Sequence, residues 1–139
     1  MITHLSEWAK RKPQAPFFCV QGDKQSIEYS YRRAHIAAAA LARELERYGM
    51  TANGTLACTM YNGTELVLLS LAAAYGGYTL ALLNPRLSAD ERQLRLVELE
   101  NATGEHGMDV LTNQMVNRLL IDCLLYTSDA ADDGESVDL

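Results

Sequence analysis

Residues 71–87 read LAAAYGGYTLALLNPRL, which is an apolar helical segment, two glycines and an apolar run that stops at a proline. Gly76 and Gly77 form a turn at which a helix can end, because glycine readily adopts the left-handed conformation. The run 78–83 lacks strict apolar–polar alternation, which is typical of a parallel strand covered on both faces. Pro85 ends this run, since the residue before proline is restricted to extended geometry. The stretch therefore predicts a helix, a turn and a central strand of a parallel sheet.

The residues before this stretch predict a helix, a strand and a second helix. From about residue 31, apolar side chains recur at the spacing of one helical face: Ala34, Ala37, Ala38, Leu41, Ala42 and Leu45. Ser30 is a suitable N-cap for that helix, and Gly49 lies where it would turn into the left-handed region. A short buried strand is predicted at 56–60, followed by a helix at about 64–75 that is apolar nearly all round.

The N-terminal segment predicts a helix and a hairpin. Residues 5–11 are predicted to form a short helix that is stopped by Pro13 and Pro16. The extended runs 17–20 and 26–29 flank Gly22, so they are predicted to pair as antiparallel strands.

Downstream of residue 87, a capping box opens another helix. Ser88 and Glu91 have the spacing at which each side chain satisfies a backbone amide beside the other, and Leu94, Val97 and Asn101 share one face of the helix that follows. A strand at 109–112 and one or two helical turns at 115–121 complete the pattern. The alternation of helix and strand after residue 30 predicts an open α/β sheet.

The composition is that of one ordinary globular domain, with 139 residues, 48% hydrophobic and 22% charged. The net charge is −6, but without the acidic residues of the C-terminal stretch the chain carries only −1. Those residues are Asp129, Asp132, Asp133, Glu135 and Asp138. The near-neutral body excludes a broad nucleic-acid footprint, so no nucleic-acid partner is predicted.

The three cysteines, at positions 19, 58 and 123, are far apart and contain no CxxC pair, so neither a zinc site nor a disulfide framework is indicated. They are predicted to be buried as small hydrophobic residues. The chain opens with a polar segment rather than an apolar signal core, and its longest apolar stretch, 66–74, is too short for a bilayer. A cytoplasmic protein without a membrane span is predicted.

The order and spacing of these elements resemble the N-terminal subdomain of the adenylate-forming superfamily, which contains acyl-CoA synthetases, luciferases and peptide-synthetase adenylation domains. Ser30-Tyr31 resembles the family's Thr-Tyr helix opening, and Asn62 with Glu65 resembles its Asn-x-x-Glu helix start. Residues 71–87 are similar, without a gap, to the family pattern LAxLKAGAxxxPLNPxL. The resemblance implies an α/β fold class: a partial N-terminal subdomain with alternating helices and mainly parallel strands, incomplete.

The resemblance also implies the activity of a parent enzyme, an AMP-forming, ATP-dependent carboxylic acid–CoA ligase. Such an enzyme uses ATP, Mg²⁺ and CoA, and its substrate is a small carboxylic acid; fatty acids, aryl acids and o-succinylbenzoate all remain open. The family holds ATP phosphates with a Ser/Thr/Gly-rich loop that ends in Lys. The lysines here are Lys10, Lys12 and Lys24, and none follows such a loop. No catalytic, cofactor-binding or metal-binding residue is therefore predicted, and the chain itself is expected to be inactive and to bind none of these cofactors.

The chain is predicted to divide at residue 122. Residues 1–122 would be the N-terminal part of an AMP-binding ligase domain. Residues 123–139 resemble a translated sequencing adaptor, so this segment is interpreted as a non-native or disordered acidic tail.

Two other interpretations remain open. The chain could be a self-contained α/β ligand-binding or interaction module without ligase activity, or a structural fragment that oligomerises through its apolar helices; the oligomeric state is not predicted. The histidines at 4, 35 and 106 are isolated, so no metal or catalytic role is predicted for them, and His35 is expected on a helix surface. Remaining charged and aromatic candidates are interpreted as an ion-paired face (Glu91, Glu98, Glu100, Arg92 and Arg95) and as packing groups (Phe17, Phe18, Tyr29, Tyr31, Tyr75 and Tyr78).

Overall fold

The structure is a computed structural model that describes residues 2–22, 24, 26–105 and 109–131. Its elements, in chain order, are α1 (Ile2–Arg11), β1 (Pro16–Gln21), β2 (Ser26–Ser30), α2 (Tyr31–Arg47), β3 (Thr55–Thr59), α3 (Thr64–Gly76), β4 (Thr79–Leu83), α4 (Ala89–Thr103), β5 (Val110–Leu111) and α5 (Asn113–Ala131). The predicted alternation of helices and strands after residue 30 is confirmed.

The predicted N-terminal hairpin is also confirmed. Strands β1 and β2 pair antiparallel, with Val20 opposite Ile27 and Cys19 opposite Glu28. The rings of Phe18 and Tyr29 stack across the two strands at 4.7 Å between centroids. Tyr29, near the end of β2, is buried in the core, so this stacked pair joins the hairpin to the rest of the fold.

The second sheet is parallel, as predicted, but its strand order, β4-β3-β5, differs from the expectation. The central strand is β3, whose residues 55–58 are all buried, whereas β4 lies at the edge with Thr79 and Leu82 exposed. The prediction that 78–83 form a central strand covered on both faces is wrong. An apolar strand can be covered on both faces only where layers exist on both sides, and strand order is set by long-range pairing that composition does not encode.

The core lies between α2, α3 and β3. Ala34, Ala37 and Ala38 are fully buried on α2, and their small side chains let α3 approach closely enough to bury Leu68 and Leu69 completely. Burial of each such leucine contributes about 1.5–3 kcal/mol relative to leaving it exposed. The packing of these two helices against each other is therefore a main part of the core.

The predicted helix ends agree with the structure. The hydroxyl oxygen of Ser30 accepts a hydrogen bond from the amide of Arg33 at 3.1 Å. At α4, the amide of Glu91 donates to the Ser88 hydroxyl at 3.2 Å and the amide of Ser88 donates to the Glu91 carboxylate at 3.1 Å, which completes the capping box. Gly77 ends α3 with φ of 74°, in the left-handed region that glycine tolerates best.

Helix α4 has no buried residue. Leu94 and Val97, which the sequence places on one face, are exposed, while Leu96 and Leu99 are partly buried. The spacing of its apolar residues gives this helix two apolar stripes, Leu94 with Val97 and Leu96 with Leu99. Only tertiary packing decides which stripe lies against the rest of the fold.

The last helix is longer than the predicted one or two turns. Helix α5 runs from Asn113 to Ala131, and it packs against α2 and α3 through Val116, Leu120 and Cys123. These positions have the spacing of one helical face, so the same face continues from 116 to 123. The predicted boundary at residue 122 stays a prediction, and residues 132–139 lie outside the described part of the chain.

Among the described residues, no helix combines the length and the apolar character that a bilayer crossing requires.

Candidate functional site

The carboxyl ends of β3 and β4 meet at one edge of the parallel sheet, which is where open α/β folds bind ligands. Asn113, at the start of α5, holds this edge together. Its side-chain oxygen accepts a hydrogen bond from the amide of Tyr61 at 2.9 Å, and its side-chain nitrogen donates to the Tyr61 carbonyl at 3.2 Å and to the Glu65 carboxylate at 3.1 Å. One side chain thus links the end of β3, the first turn of α3 and the start of α5.

Sequence reasoning missed Asn113. A polar residue that directly follows a predicted strand is a usable signal for this edge, but its partners lie about 50 residues earlier in the chain.

The loop after β4 is held by its own hydrogen bonds. The side-chain oxygen of Asn84 accepts from the amide of Arg86 at 2.9 Å, and the Asn84 carbonyl accepts from the amide of Leu87 at 3.2 Å. This turn leaves Arg86 exposed at the carboxyl edge of the sheet. At this edge the amides of Tyr61 and Arg86 and the carboxylate of Glu65 are engaged in these hydrogen bonds, and Arg86 adds an exposed side chain.

His35 and Tyr75 form a hydrogen-bonded pair between α2 and α3, through Nδ1 of the imidazole and the phenolic hydroxyl. His35, which was predicted on a helix surface, lies on α2 with its ring half-buried against α3. Burial lowers the pKa of His35, and the nearby cations of Lys10 and Arg43 lower it further. Burial raises the pKa of the Tyr75 hydroxyl, because it disfavours the charged phenolate. Both shifts favour the neutral forms of the two groups, and the hydrogen bond fixes the orientation of the imidazole.

The imidazole of His35 also lines an open cleft of about 340 Å³ between α1 and α2. The cleft has apolar walls and a cationic rim, and the residues that line it are Ala9, Lys10, Pro13, Arg32, His35 and Ile36. None of these six lining residues is acidic.

The aromatic residues serve mainly in packing, as predicted. Tyr78 is buried and donates a hydrogen bond from its hydroxyl to the carbonyl of Ala42 at 3.4 Å, which ties β4 to α2. Phe17 contacts both Phe18 and Tyr31 at the surface of the hairpin. The predicted ion-paired face is present as well, since Arg95 and Glu98 on α4 lie 3.1 Å apart.

All three cysteines are free. Cys58 and Cys123 are buried, and burial raises the pKa of each thiol to about 11. Cys19 is exposed, so its predicted burial is wrong: it lies on the hairpin, where alternate side chains point to solvent. Within the described ranges, no group of three or more His, Cys, Asp or Glu side chains could hold a metal ion. His4 is exposed. No metal or catalytic role was predicted for His106, which lies outside the described residues.

A sequence model of the AMP-binding enzyme family matches residues 5–102. This range covers most of the chain, including β3, α3, β4 and nearly all of α4. The chain belongs to the AMP-binding enzyme family, whose members are adenylate-forming enzymes, as the resemblance at residues 71–87 implied.

The similar proteins include several kinds of adenylate-forming enzyme. The chain is 32% identical over 88 residues to the non-canonical nonribosomal peptide synthetase cpsA of Aspergillus campestris, and the match covers 63% of this chain and 8% of that protein. The N-terminal subdomain of Klebsiella oxytoca NpsA, solved with 3-hydroxyanthranilyl-AMSN, superposes with a TM-score of 0.67 at 19% identity, covering 88% of this chain and 31% of that one. The O-succinylbenzoate coenzyme A synthetase MenE of Bacillus subtilis, solved with ATP and magnesium, gives a TM-score of 0.65 at 21% identity, covering 84% and 33%.

These matches define the fold as that of an N-terminal subdomain of adenylate-forming enzymes. The chain spans less than a tenth of the peptide synthetase and about a third of the two solved structures.

Proposed function

We propose that this chain is the N-terminal scaffold of an ATP-dependent carboxylic acid–CoA ligase and has no ligase activity by itself. The observation that carries the proposal is the continuous unit β3-α3-β4-α4, which includes residues 71–87 and lies within the range that matches the family. We further propose that residues 1–122 form this ligase part, that residues 123–139 do not belong to it, and that the whole enzyme is cytoplasmic.

In the proposed enzyme, the substrate carboxylate attacks the α-phosphorus of ATP and displaces pyrophosphate, which gives an acyl-adenylate. The CoA thiol then attacks the acyl carbonyl and displaces AMP. The ATP and magnesium in the similar O-succinylbenzoate synthetase support the use of both in the first step. This chain has no lysine after Lys24 and no Ser/Thr/Gly-rich loop ending in Lys, so it has no such group to stabilise the charge that develops on the phosphates.

The scaffold role rests on an uneven distribution of burial. Leu82 on β4 is 62% exposed and Leu94 on α4 is 58% exposed, and the outer edge of β4 has no partner strand in the described part of the chain. The Nε of Arg92 is buried and has no hydrogen-bond partner among the described residues. The similar solved structures are more than twice as long as this chain, so we propose that the remainder of the ligase domain packs on β4 and α4.

Carboxylate-dependent ATP–pyrophosphate exchange tests this function. The assay compares the 139-residue chain with the protein expressed from the extended natural reading frame, using a panel of fatty and aryl acids and o-succinylbenzoate. We expect exchange with the extended protein and none with the 139-residue chain. Exchange by neither protein would leave the self-contained module as the better interpretation, and exchange by the short chain would contradict the scaffold role.

A second candidate, an adenylation domain of a peptide synthetase, is favoured by the 32% identity to the Aspergillus campestris synthetase. Both candidates form an acyl-adenylate, so exchange does not separate them. The acceptor of the second half-reaction does. Stoichiometric AMP release that depends on CoA, with an acyl-CoA product, supports the CoA ligase, whereas transfer of the acyl group only to a carrier-protein thiol supports the adenylation domain.

A further inference from the structure

The positive charge of this chain is concentrated on its first two helices and the segments that join them. Residues 1–50 hold eight of the twelve Lys and Arg residues and only five of the eighteen Asp and Glu residues. The cleft between α1 and α2 lies within this basic half. Its volume of about 340 Å³ falls in the range of small-molecule sites, at the small end.

The lining of the cleft combines three nitrogen-bearing side chains with three apolar ones. Lys10 approaches from α1, and Arg32 and His35 lie one turn apart on α2, so the donors come from two elements. Ala9, Pro13 and Ile36 provide apolar wall. A ligand that fits this lining has a compact anionic group for the cationic rim and a small apolar body for the wall.

The hydrogen bond to Tyr75 fixes the orientation of the His35 ring. Because Nδ1 is engaged with the phenolic hydroxyl, Nε2 is the ring atom left for a ligand, and it has no other hydrogen-bond partner among the described residues. The groups that face His35 are Lys10 on α1, Arg32 and Arg43 on α2, and Tyr75 on α3; three of these four are cationic and none is acidic. Bringing an anion into the cleft would relieve the repulsion that these cations impose on a protonated imidazole.

We propose that this cleft binds a phosphate monoester, with its phosphate among Lys10, Arg32 and His35 and its organic group against the apolar wall. A phosphate monoester carries a charge of about −1.5 to −2 at neutral pH and three strong acceptor oxygens. Three oxygens can be shared among Lys10 on α1 and Arg32 and His35 on α2, whereas a carboxylate offers two oxygens in one plane and a single charge. The proposal is independent of the ligase function, because the cleft lies on α1 and α2 and not at the carboxyl edge of the parallel sheet.

Titration of the 139-residue chain with phenyl phosphate, followed by ¹H–¹⁵N correlation spectra and by the imidazole resonances of His35, tests the proposal. Phenol serves as the uncharged control and benzoate as the carboxylate control. We expect saturable shifts centred on residues 9–13 and 32–36 with phenyl phosphate, weaker ones with benzoate and none with phenol. We also expect the bound phosphate to raise the pKa of His35, since an opposite charge favours the protonated form.

Two charge-matched variants locate the effect. Lys10→Gln removes an exposed cation from the rim, and we expect it to weaken phenyl phosphate binding about tenfold, the loss of one charge-assisted hydrogen bond. Arg118→Gln removes an exposed cation from α5 and should leave the affinity unchanged. The proposal is overturned if phenyl phosphate causes no saturable shift, if benzoate binds as tightly, if the pKa of His35 does not rise, or if both variants have the same affinity.

Discussion

Two regions of this molecule have similar apolar composition and opposite environments. The packed half consists of α2, β3, α3 and α5, and the open half consists of β4 and α4. Leu68 on α3 is completely buried, whereas Leu82 on β4 and Leu94 on α4 are more than half exposed. In the packed half the apolar side chains of α2 and α3 and one face of α5 are buried against neighbouring elements. In the open half, β4 is held by its pairing with β3, and the segment after it is held by local interactions, the turn at Asn84 and the capping box at Ser88.

The difference shows where the stability of the chain resides. A leucine contributes to folding only to the extent that folding removes it from water, so the exposed leucines of β4 and α4 add little to the free energy of unfolding. Their apolar character is explained if another part of the enzyme covers them. The packed half is thus the folded scaffold, and the open half is the surface that we propose for attachment to the remainder of the domain.

The largest expected effect comes from truncating one leucine in each half. Leu68→Ala leaves a cavity at a completely buried position, and we expect it to lower the free energy of unfolding by about 2–5 kcal/mol. Leu94→Ala removes the same atoms from an exposed position, and we expect a change within about 0.5 kcal/mol. Urea denaturation followed by circular dichroism measures both. Equal losses in the two variants would contradict the division into two halves.

A second substitution tests the junction between the halves. A methyl group at Gly76 would lie 2.4 Å from the ring of Tyr78, which is buried and cannot swing aside. We expect Gly76→Ala to lower the stability by about 1–3 kcal/mol through overpacking. Gly63→Ala is the control, because its added methyl group would approach only the Glu65 side chain, at an ordinary contact distance of 3.7 Å. If the two variants unfold at the same urea concentration, the account of this junction is wrong.

A smaller and more local effect is expected at the start of α4. Ser88→Ala removes the hydroxyl that accepts from the Glu91 amide, and loss of such a cap costs about 0.5–2 kcal/mol of helix stability. Because α4 has no buried residue, we expect faster amide hydrogen exchange in residues 89–103 and unchanged exchange in α2 and α3. An equal increase throughout the chain would show that α4 is part of one cooperative unit with the core.

The hydrogen bonds between Ser88 and Glu91 also predict that the stability of α4 depends on pH. Hydrogen bonds from the backbone and side chain of Ser88 lower the pKa of Glu91 below its ordinary value of 4.5. A group whose pKa is lower in the folded state stabilises that state above its unfolded pKa, and the contribution is lost as pH falls through the folded pKa. Protection of the α4 amides should therefore be full above pH 4.5 and fall below it, and Glu91→Gln should remove this dependence.

Thiol labelling tests the burial of the three cysteines without any amino-acid substitution, so it perturbs the chain least. Cys58 and Cys123 are buried with pKa values raised to about 11, and Cys19 is exposed. At pH 8 we expect a disulfide reagent to modify one thiol of the folded chain quickly and all three in urea. Rapid modification of Cys123 in the folded chain would show that α5 does not pack as described.

Features that depend on neighbours in sequence could be predicted, and features that depend on distant partners could not. The Ser30 and Ser88 caps and the Gly76-Gly77 turn each rest on a few consecutive residues, and all are present. The edge position of β4 depends on which strands pair, and an apolar run is compatible with either position. The bonds of His35 to Tyr75 and of Asn113 to Tyr61 join residues 40 and 52 positions apart, so no local pattern contains them.

The candidate sites divide in the same way. The absence of a lysine after Lys24 is a property of the sequence, and the prediction that this chain lacks the family's phosphate-binding loop depends on it alone. The cationic cleft was not predicted, because Lys10 and Arg32 come together only when α1 packs against α2.

Hydrogen exchange in the 139-residue chain and in the protein from the extended reading frame tests the scaffold account most directly. If the rest of the ligase domain packs on the open half, residues 79–83 and 89–103 will exchange at least tenfold more slowly in the longer protein, a gain of about 1.4 kcal/mol in local stability. Residues of α2 and α3 that are already buried will change much less. Equal exchange rates of β4 and α4 in the two proteins would contradict the claim that the rest of the ligase domain packs on these two elements.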